Sequence, residues 1–199
     1  MNRDKRQFYK TNKYQIYPLF MQIEITKACI FTCSQCYKQG LADKHMNFSH
    51  LCDLLDEVNE NGVKCIALNG GEPLLYPQLV PLLEKLKEMD FAVQIFSSGY
   101  GLCDLIVDNL KVNQNLHMFI SLNGSTESVN NLSREGYEYA MCAIQQLSKA
   151  GIRFGINWVA RDDNIHDFEN IIELGILNKV SYISIVPNRN CGCQAKVFC

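Results

Sequence analysis

The sequence predicts an α/β protein with the architecture of an open, partial (β/α)6 TIM-like barrel with parallel strands. Six short segments rich in β-branched and aromatic residues are predicted to be strands, at residues 21–26, 63–68, 91–97, 116–122, 152–159 and 180–186. The segments between them repeat apolar residues three and four positions apart, as amphipathic helices do, and this alternation favours a parallel sheet. A closed eight-unit barrel takes about 250 residues, so 199 residues with six strands predict an open barrel. A doubly wound flat sheet is the alternative that the periodicity leaves open.

Three of the helices can be placed from their apolar faces. The apolar positions are Leu51, Leu54, Leu55 and Val58 in the first helix, Leu79, Leu82, Leu83 and Leu86 in the second, and Tyr139, Ala143, Ile144 and Leu147 in the third. Gly151 follows the third helix where glycine commonly ends a helix.

The chain is predicted to form one domain between two short terminal segments. Residues 1–20 are a polar, aromatic lead-in, residues 21–188 form the core domain, and residues 189–199 are a cysteine-containing tail. No low-complexity segment or internal linker interrupts the core.

Composition and charge exclude several classes of function. Apolar residues make up 47% of the chain and charged residues 20%, an ordinary globular balance. The net charge of −2 gives no electrostatic reason to expect nucleic acid or an anionic membrane as a partner. No apolar stretch approaches the roughly 18 residues of a membrane helix, and the first residues lack the apolar core of a secretion signal. We therefore expect a cytoplasmic protein without a nucleic-acid or membrane partner.

The ten cysteines are the unusual feature of the composition. A disulfide framework is disfavoured in a chain without a signal peptide, because cytosolic thiols are kept reduced. Four scattered cysteines are predicted to pack in the core as small hydrophobic residues: Cys52, Cys65, Cys103 and Cys142. The other six form one group after the first strand and one in the tail: Cys29, Cys33 and Cys36, then Cys191, Cys193 and Cys199.

The first group, in the segment ITKACIFTCSQCYKQG, has the spacing C-x3-C-x2-C. Structural zinc sites prefer four protein ligands, and His45 is a poor fit as the fourth. Iron–sulfur clusters are also normally held by four thiolates. Three thiolates on a four-iron cluster would leave one iron open to a small molecule.

This loop resembles the signature of the radical S-adenosylmethionine (radical SAM) enzymes, whose [4Fe–4S] cluster is held by a C-x3-C-x2-C loop. The resemblance implies that Cys29, Cys33 and Cys36 hold such a cluster. Tyr37, directly after the third cysteine, makes the loop most similar to the peptide- and protein-maturase (SPASM-type) branch.

The second strand ends in Gly70, Gly71, Glu72 and Pro73. Glycines let a ligand approach the backbone closely. The segment is similar to the family element that binds the amino group of the SAM methionine, and the resemblance assigns that role to these four residues. After the third strand, Ser97 and Ser98 could hydrogen-bond a ribose or cap a turn.

The fourth strand runs into SLNGSTESVNNLSREG, which is similar to the family's Ser-Leu-Asp-Gly segment with its following His-Asp and Arg. Ser121, Asn123 and Arg134 fall on matching positions, which implies contacts with the ribose and the methionine carboxylate. The chain departs from the pattern with Asn123 in place of Asp, and with Asn130 and Asn131 in place of His-Asp. Asparagine keeps the hydrogen-bonding capacity of aspartate and loses its charge.

The ends of the fifth and sixth strands complete the predicted site. Val159 and Val186–Pro187 are positioned like the family's adenine-flanking residues. Each polar or glycine-rich element follows a strand, and parallel sheets and barrels bind ligands at the edge where strands end. The six strand ends are therefore predicted to form one site.

The resemblance implies an enzyme that cleaves SAM reductively to methionine and a 5′-deoxyadenosyl radical, which abstracts a hydrogen atom from a peptide or protein substrate. The implied cofactors are one [4Fe–4S] cluster per chain and SAM, and the implied reductant is a flavodoxin or a ferredoxin. The alternatives are a glycyl-radical-enzyme activase, a truncated inactive paralogue acting as a binding module and, last, a zinc-binding structural protein.

The tail leaves several roles open. Cys191, Cys193 and Cys199 could begin a cysteine-rich extension, bind a metal with a partner chain, or have no role. The chain stops soon after the sixth strand, which would leave apolar sheet surface exposed, so association with another chain is an expectation.

Overall fold

The computed structural model describes residues 17–36 and 42–188, so that Tyr37 and the three tail cysteines lie outside the described residues. Six strands form one sheet in the order β1-β2-β3-β4-β5-β6. The strands are β1 (Phe20–Thr26), β2 (Cys65–Gly70), β3 (Ala92–Ser97), β4 (Leu116–Ser121), β5 (Phe154–Ala160) and β6 (Tyr182–Pro187). Each strand pairs in parallel with its neighbour in sequence.

This strand order decides between the two predicted architectures. A doubly wound sheet reverses its strand order at a switch point, whereas the order here runs from β1 to β6 without a reversal. The two terminal strands lie at opposite edges of the sheet, as an open barrel requires. The prediction of a partial (β/α)6 barrel is therefore confirmed, and the flat-sheet alternative is wrong.

The helices of the described residues follow the strands in alternation. They are α1 (Phe48–Glu60), α2 (Leu79–Lys85), α3 (Asp104–Val112), the short α4 (Glu127–Asn130), α5 (Tyr137–Lys149) and α6 (Phe168–Leu177). The three helices placed from the sequence correspond to α1, α2 and α5. Short 3-10 turns cover Pro73–Leu75, Leu86–Glu88 and Ile165–Asp167.

Alternation along the strands gives the sheet two different faces. One face is buried against the helices in a single core, to which Ile25, Leu68, Ile95, Ile120 and Ile156 belong. The intervening side chains point to the opposite, concave face; among them, Gln94 and His117 are partly buried. Polar side chains such as these two therefore point away from the core and into the open barrel.

Three strands begin two residues later than predicted, because an apolar residue before each strand belongs to the end of the preceding helix. After α1, Gly62 has φ of 79°, and the Val63 N–H donates to the Val58 carbonyl at 3.2 Å. This is the Schellman helix end, in which an apolar residue follows a left-handed one. The same arrangement ends α5 at Gly151 and Ile152, and α6 at Lys179 and Val180.

The four scattered cysteines are less buried than predicted. Cys103 and Cys142 are exposed, and Cys52 and Cys65 are partly buried. Cys103 lies at the N-terminal cap of α3, and Cys142 lies on α5 beside the buried Ala143. The prediction that these cysteines pack in the core is wrong, because each lies at a position of its helix or strand that is partly or fully exposed to solvent.

The last helix and strand carry much of the exposed apolar surface. Ile176 and Leu177 of α6 are 72% and 81% exposed, and Ile185 of β6 is 53% exposed. The expected association of the chain with another chain stays a prediction. In the described part of the chain, no helix is both long enough and apolar enough to cross a membrane.

Candidate functional site

The cysteine loop, residues 27–36, leaves the carboxyl end of β1. Its three cysteines, Cys29, Cys33 and Cys36, are partly buried free thiols. Burial raises the pKa of Cys29, and the negative charges of Glu72 and of the two other cysteines raise it further. Cys29 therefore lies near enough to Glu72, Cys33 and Cys36 for their negative charges to disfavour its thiolate.

The donor chemistry of the cysteine loop fits an iron–sulfur cluster, since three partly exposed thiols lie on one loop at the carboxyl edge of a parallel sheet. Among residues 17–36 and 42–188, no three His, Cys, Asp or Glu side chains are grouped so as to hold a metal ion. The thiols are thus neighbours in this structure without converging on one point. Metal binding supplies the free energy that orders such ligands.

His45 is engaged by protein partners on both ring nitrogens. Its Nδ1 lies 2.9 Å from Thr26 Oγ1, and its Nε2 lies 2.9 Å from the Asp43 carboxylate. A histidine held in this way has no ring nitrogen left for a metal, which weighs against a fourth ligand from this residue.

Gly70 and Gly71 allow β2 to pack against the start of the cysteine loop. A Cβ on Gly71 would lie 2.1 Å from the Ala28 carbonyl oxygen, and one on Gly70 would lie 2.4 Å from the Thr26 carbonyl oxygen. The Gly71 N–H donates to Thr26 at 2.8 Å, and the Glu72 N–H donates to Ala28 at 2.7 Å. The sequence predicted that a ligand approaches these glycines closely. On the side where a Cβ would stand, the chain's own backbone makes that close approach instead.

Glu72 is the acceptor of a buried group that we call the Glu72 centre: Glu72, Ser97, Ser98 and the Leu74 N–H. Its Oε1 accepts from Ser97 Oγ at 2.6 Å and from Leu74 N at 3.1 Å. Its Oε2 accepts from the backbone N–H and the hydroxyl of Ser98. The residue is 1% exposed, and burial raises the pKa of its carboxyl although these hydrogen bonds oppose the rise. Both oxygens are therefore occupied by the end of β3 and the turn that begins at Pro73.

A second buried group, the Asn123 centre, consists of Asn123, Gln35, Ser133 and the Val159 N–H. Asn123 Nδ2 donates to Gln35 Oε1 at 2.7 Å and to Ser133 Oγ at 2.9 Å. Asn123 Oδ1 accepts from the Val159 N–H at 3.2 Å. The centre thereby joins the cysteine loop, the segment after α4 and strand β5. The side-chain amide of Asn123 is thus hydrogen-bonded within the protein, and its predicted contact with a ribose stays a prediction.

The two asparagines at the family's His-Asp positions differ in their surroundings. Asn130 is buried, accepts from the Asn123 N–H at 2.9 Å and donates to the Arg134 carbonyl at 2.8 Å. Asn131 is exposed. Asn130 therefore links Asn123 to Arg134 through two hydrogen bonds to their backbones.

Arg134 and Asn157 each have a buried polar atom without a hydrogen-bond partner. The Arg134 Nε atom is buried and has no hydrogen-bond partner, and a guanidinium with a free N–H suits a carboxylate. Ser121 lies beside Asn157 of β5, whose Oδ1 is also buried without a partner. Alternation along β5, which can be read from the sequence, places Asn157 on the concave face.

Asp167 is a further buried group that sequence reasoning missed. It accepts from the backbone N–H and the hydroxyl of Ser125, at 2.6 and 2.7 Å, and from Asn170 Nδ2 at 2.8 Å. Burial alone would raise the pKa of Asp167, but these hydrogen bonds outweigh it and lower the pKa. Asp167 thus ties the loop after β4 to the start of α6.

The ends of β5 and β6 border a cavity of about 330 Å³, lined by Ala160, Arg161, Asp162, Ile165, Pro187 and Asn188. Pro187 is one of the predicted adenine-flanking residues, while Val159 and Val186 do not line this cavity. The predicted site residues therefore all lie at the carboxyl edge of the sheet or in the loops that leave it, arranged around two internally bonded centres.

Residues 23–175 match the family described as the Radical SAM superfamily. The match covers most of the chain, and the chain belongs to the radical SAM superfamily of enzymes.

Solved structures with the same fold include proteins that were solved with a peptide or with S-adenosylmethionine. The structure of Streptococcus suis SuiB bound to the precursor peptide SuiA has a TM-score of 0.83 at 19% identity, over 94% of this chain and 43% of SuiB. The structure of SuiB bound to S-adenosylmethionine has a TM-score of 0.82 at 19% identity, over 94% of this chain and 44% of SuiB. The structure of anSMEcpe with bound AdoMet has a TM-score of 0.72 at 16% identity, over 87% of this chain and 50% of anSMEcpe. This chain thus spans about half the length of these proteins, and the similarity confirms the predicted fold.

Proposed function

We propose that this chain binds a [4Fe–4S] cluster through Cys29, Cys33 and Cys36 and uses it on S-adenosylmethionine to modify a peptide or protein. Reductive cleavage of SAM to methionine and a 5′-deoxyadenosyl radical is the chemistry that such a cluster supplies when bound. The observation that carries the proposal is the position of the three partly exposed thiols, on one loop at the carboxyl edge of a parallel six-stranded sheet. Membership of the radical SAM superfamily supports it.

The chain's own residues would hold and orient SAM. Arg134 would pair with the methionine carboxylate, because its buried Nε lacks a partner. Ser121 would meet the ribose from the concave face. Gly70, Gly71, Glu72 and Pro73 would present the backbone around the amino group, and the contacts within the Glu72 centre keep that backbone fixed.

Ser97, Ser98 and Asn123 would act mainly through the backbone that they hold, because their side chains bond within the protein. Val159, Val186 and Pro187 would flank the adenine at the ends of β5 and β6. The apolar core under the sheet would exclude water from one side of this site.

A polypeptide substrate is supported by the neighbours of this fold. SuiB was solved with the precursor peptide SuiA, and anSMEcpe was solved with AdoMet and the Cp18Cys peptide. A flavodoxin or ferredoxin as the reductant, one cluster per chain and a cytoplasmic location are parts of the same proposal.

The test is 5′-deoxyadenosine formation by anaerobically reconstituted protein, given SAM and a strong reductant. The proposal expects about four iron atoms per chain and 5′-deoxyadenosine above the level of a Cys33→Ala variant. Cys142→Ala, which removes an exposed thiol outside the loop, is the matched control and should keep both properties. Bound iron without 5′-deoxyadenosine would contradict the catalytic part and favour a binding module. Zinc in place of iron in an anaerobic preparation would contradict the whole proposal.

A further inference from the structure

The cysteine loop is held by a segment that lies about a hundred residues further along the chain. We call residues 133–136 the clamp segment. Its Glu135 carboxylate accepts two hydrogen bonds from Thr32, one from the backbone N–H at 3.0 Å and one from Oγ1 at 2.8 Å. Thr32 lies directly before Cys33, so the carboxylate fixes the backbone next to the middle cysteine.

The clamp segment also contacts the cysteine sulfur. The Glu135 backbone N–H donates to Cys33 Sγ at 3.4 Å. Ser34 Oγ donates to the Ser133 carbonyl at 3.5 Å. Three consecutive residues of the cysteine loop, 32 to 34, therefore bond to the clamp segment.

An aromatic contact fixes the other side of the loop. Gly136 has φ of 82°, and a Cβ at this position would lie 2.6 Å from the Phe31 ring. The Phe31 ring packs against Tyr100 and Tyr139, with centroids 6.1 and 5.9 Å away. The clamp segment needs a glycine here because Phe31 occupies the space of a side chain.

We propose that Glu135 is a positioning residue that sets the geometry of the cysteine loop through Thr32 and places the Glu135 N–H on the sulfur of Cys33. The inference rests on the proposed function, because it concerns the loop that would hold the cluster. The clamp segment also contains Arg134, the residue proposed for the methionine carboxylate. One short segment would thus set the distance between the cluster ligands and the SAM carboxylate.

Two consequences follow for a bound cluster. Partners that orient metal ligands typically change metal affinity by about 10- to 100-fold when they are removed. A negative charge next to the loop disfavours the additional electron of the reduced cluster, and a hydrogen bond to a ligand sulfur favours it. Changes at Glu135 should therefore alter both the retention of iron and the reduction potential.

The test compares Glu135→Ala, Glu135→Gln and Thr32→Val with Glu138→Gln, an exposed glutamate on the first turn of α5. Glu135→Ala should release iron to a chelator at least about tenfold faster than the wild type. Glu135→Gln keeps the shape and hydrogen-bonding capacity without the charge, so it should retain iron better than Glu135→Ala while shifting the midpoint potential to a less negative value. Glu138→Gln should match the wild type in both measurements.

A double-mutant cycle shows whether the two residues act as one unit. Thr32→Val combined with Glu135→Ala should release iron no faster than Glu135→Ala alone, because the first change removes a bond that the second has already broken. Additive effects on the logarithm of the release rate would contradict the clamp.

A measurement on the metal-free protein separates this inference from the proposed function. Amide hydrogen exchange of the Thr32 N–H should be slow in the wild type and at least about tenfold faster in Glu135→Ala. Equal exchange, or equal iron release with an unchanged potential, would overturn the inference even if the wild type cleaves SAM. A wild type that binds no iron but shows the exchange difference would overturn the proposed function and leave the clamp itself intact.

Discussion

The Glu72 centre and the Asn123 centre both lie at the carboxyl edge of the sheet, and they differ in what their central side chain can bond. Glu72 is a carboxylate and collects only donors, four of them, from Ser97, Ser98 and Leu74. Asn123 donates to Gln35 and Ser133 and accepts from Val159. The charged centre ties together two neighbouring strand ends, while the neutral centre joins three segments that are distant in sequence.

This difference explains which side chain each position can accommodate. A buried carboxylate is stable only where every nearby polar group can donate to it. An amide suits a position where donors and acceptors meet. The asparagine that departs from the family's Ser-Leu-Asp-Gly pattern therefore stands where a neutral amide donates to Gln35 of the cysteine loop and to Ser133.

The largest effect is expected from removing the carboxylate of the Glu72 centre. Glu72→Ala leaves the buried N–H groups of Leu74 and Ser98 without acceptors, which should lower the free energy of unfolding by about 3 kcal/mol or more. Chemical denaturation of the metal-free protein measures this. Glu84→Ala, which removes an exposed ion pair with Lys87, should cost about 0–1 kcal/mol. Equal losses in the two variants would show that the Glu72 centre is not a stabilising unit.

Removing the amide of the Asn123 centre should have the next largest effect. Asn123→Ala loses three neutral hydrogen bonds, each contributing about 0.5–1.5 kcal/mol, so a loss of about 2 kcal/mol is expected. The exposed Asn131→Ala is the control and should stay within about 0.5 kcal/mol of the wild type. If amide exchange in the cysteine loop is no faster in Asn123→Ala, the link through Gln35 does not hold that loop.

Exchanging the acid of one centre for an amide, and the amide of the other for an acid, tests whether charge decides the residue type at each position. In Glu72→Gln, either amide orientation places an NH2 group against a backbone N–H, that of Leu74 or that of Ser98, so a loss of about 1–2 kcal/mol is expected near neutral pH. Burial raises the pKa of Glu72, so the wild type should lose stability as pH rises from the ordinary carboxyl pKa through the raised one. Glu72→Gln should flatten that part of the pH profile.

Asn123→Asp should behave differently, because the Ser133 hydroxyl and the Gln35 amide can both turn to donate. Its cost is the buried charge, so the loss should grow as pH rises above the ordinary aspartate pKa. Denaturation curves across this range measure the effect. A loss that does not depend on pH would show that hydrogen bonding, and not charge, decides the residue type at this position.

Asp167 extends the comparison to a buried carboxylate with the opposite pKa shift. Since hydrogen bonds from Ser125 and Asn170 lower its pKa, its contribution is present above the ordinary aspartate pKa and is lost as pH falls through the lowered one. Asp167→Asn should cost about 1 kcal/mol near neutral pH and make the acid limb of the stability profile shallower. A steeper acid limb would contradict the direction of the shift.

The smallest effect is expected outside both centres. Cys103→Ser and Cys142→Ser replace exposed thiols, so each should change the free energy of unfolding by less than about 0.5 kcal/mol. Reconstitution should give the same iron content as the wild type. A larger loss of stability would mean that these thiols contact apolar surface.

The sequence predicted the sheet well, because strand alternation and helix periodicity are local signals. The errors at three strand starts also have a local cause. Val63, Ile152 and Val180 are apolar and β-branched, as strand residues commonly are. Only the left-handed residue before each one shows that it belongs to a helix end. The bonds of Gln35 to Asn123 and of Thr32 to Glu135 join residues far apart in sequence, and no local pattern encodes such pairs.

The same limit applies to the candidate site. The cysteine spacing and the glycine pair were visible in the sequence, and they lie where strand ends meet. That the glycines face Thr26 and Ala28, and that Glu72 bonds Ser97 and Ser98, depends on how neighbouring strand ends pack in three dimensions. The sequence indicated which residues gather at this edge, and the structure shows which of them bond to one another.

The distance in sequence between the cysteine loop and the clamp segment has a consequence for synthesis. The Glu72 centre can close as soon as Ser98 has left the ribosome, whereas Thr32 must wait for Glu135. At about 5–20 residues per second, the three loop thiols spend roughly 5–20 s in the nascent chain without the contact that positions them. During that interval residues 32–34 lack the hydrogen bonds to residues 133–135 that they make in the folded chain.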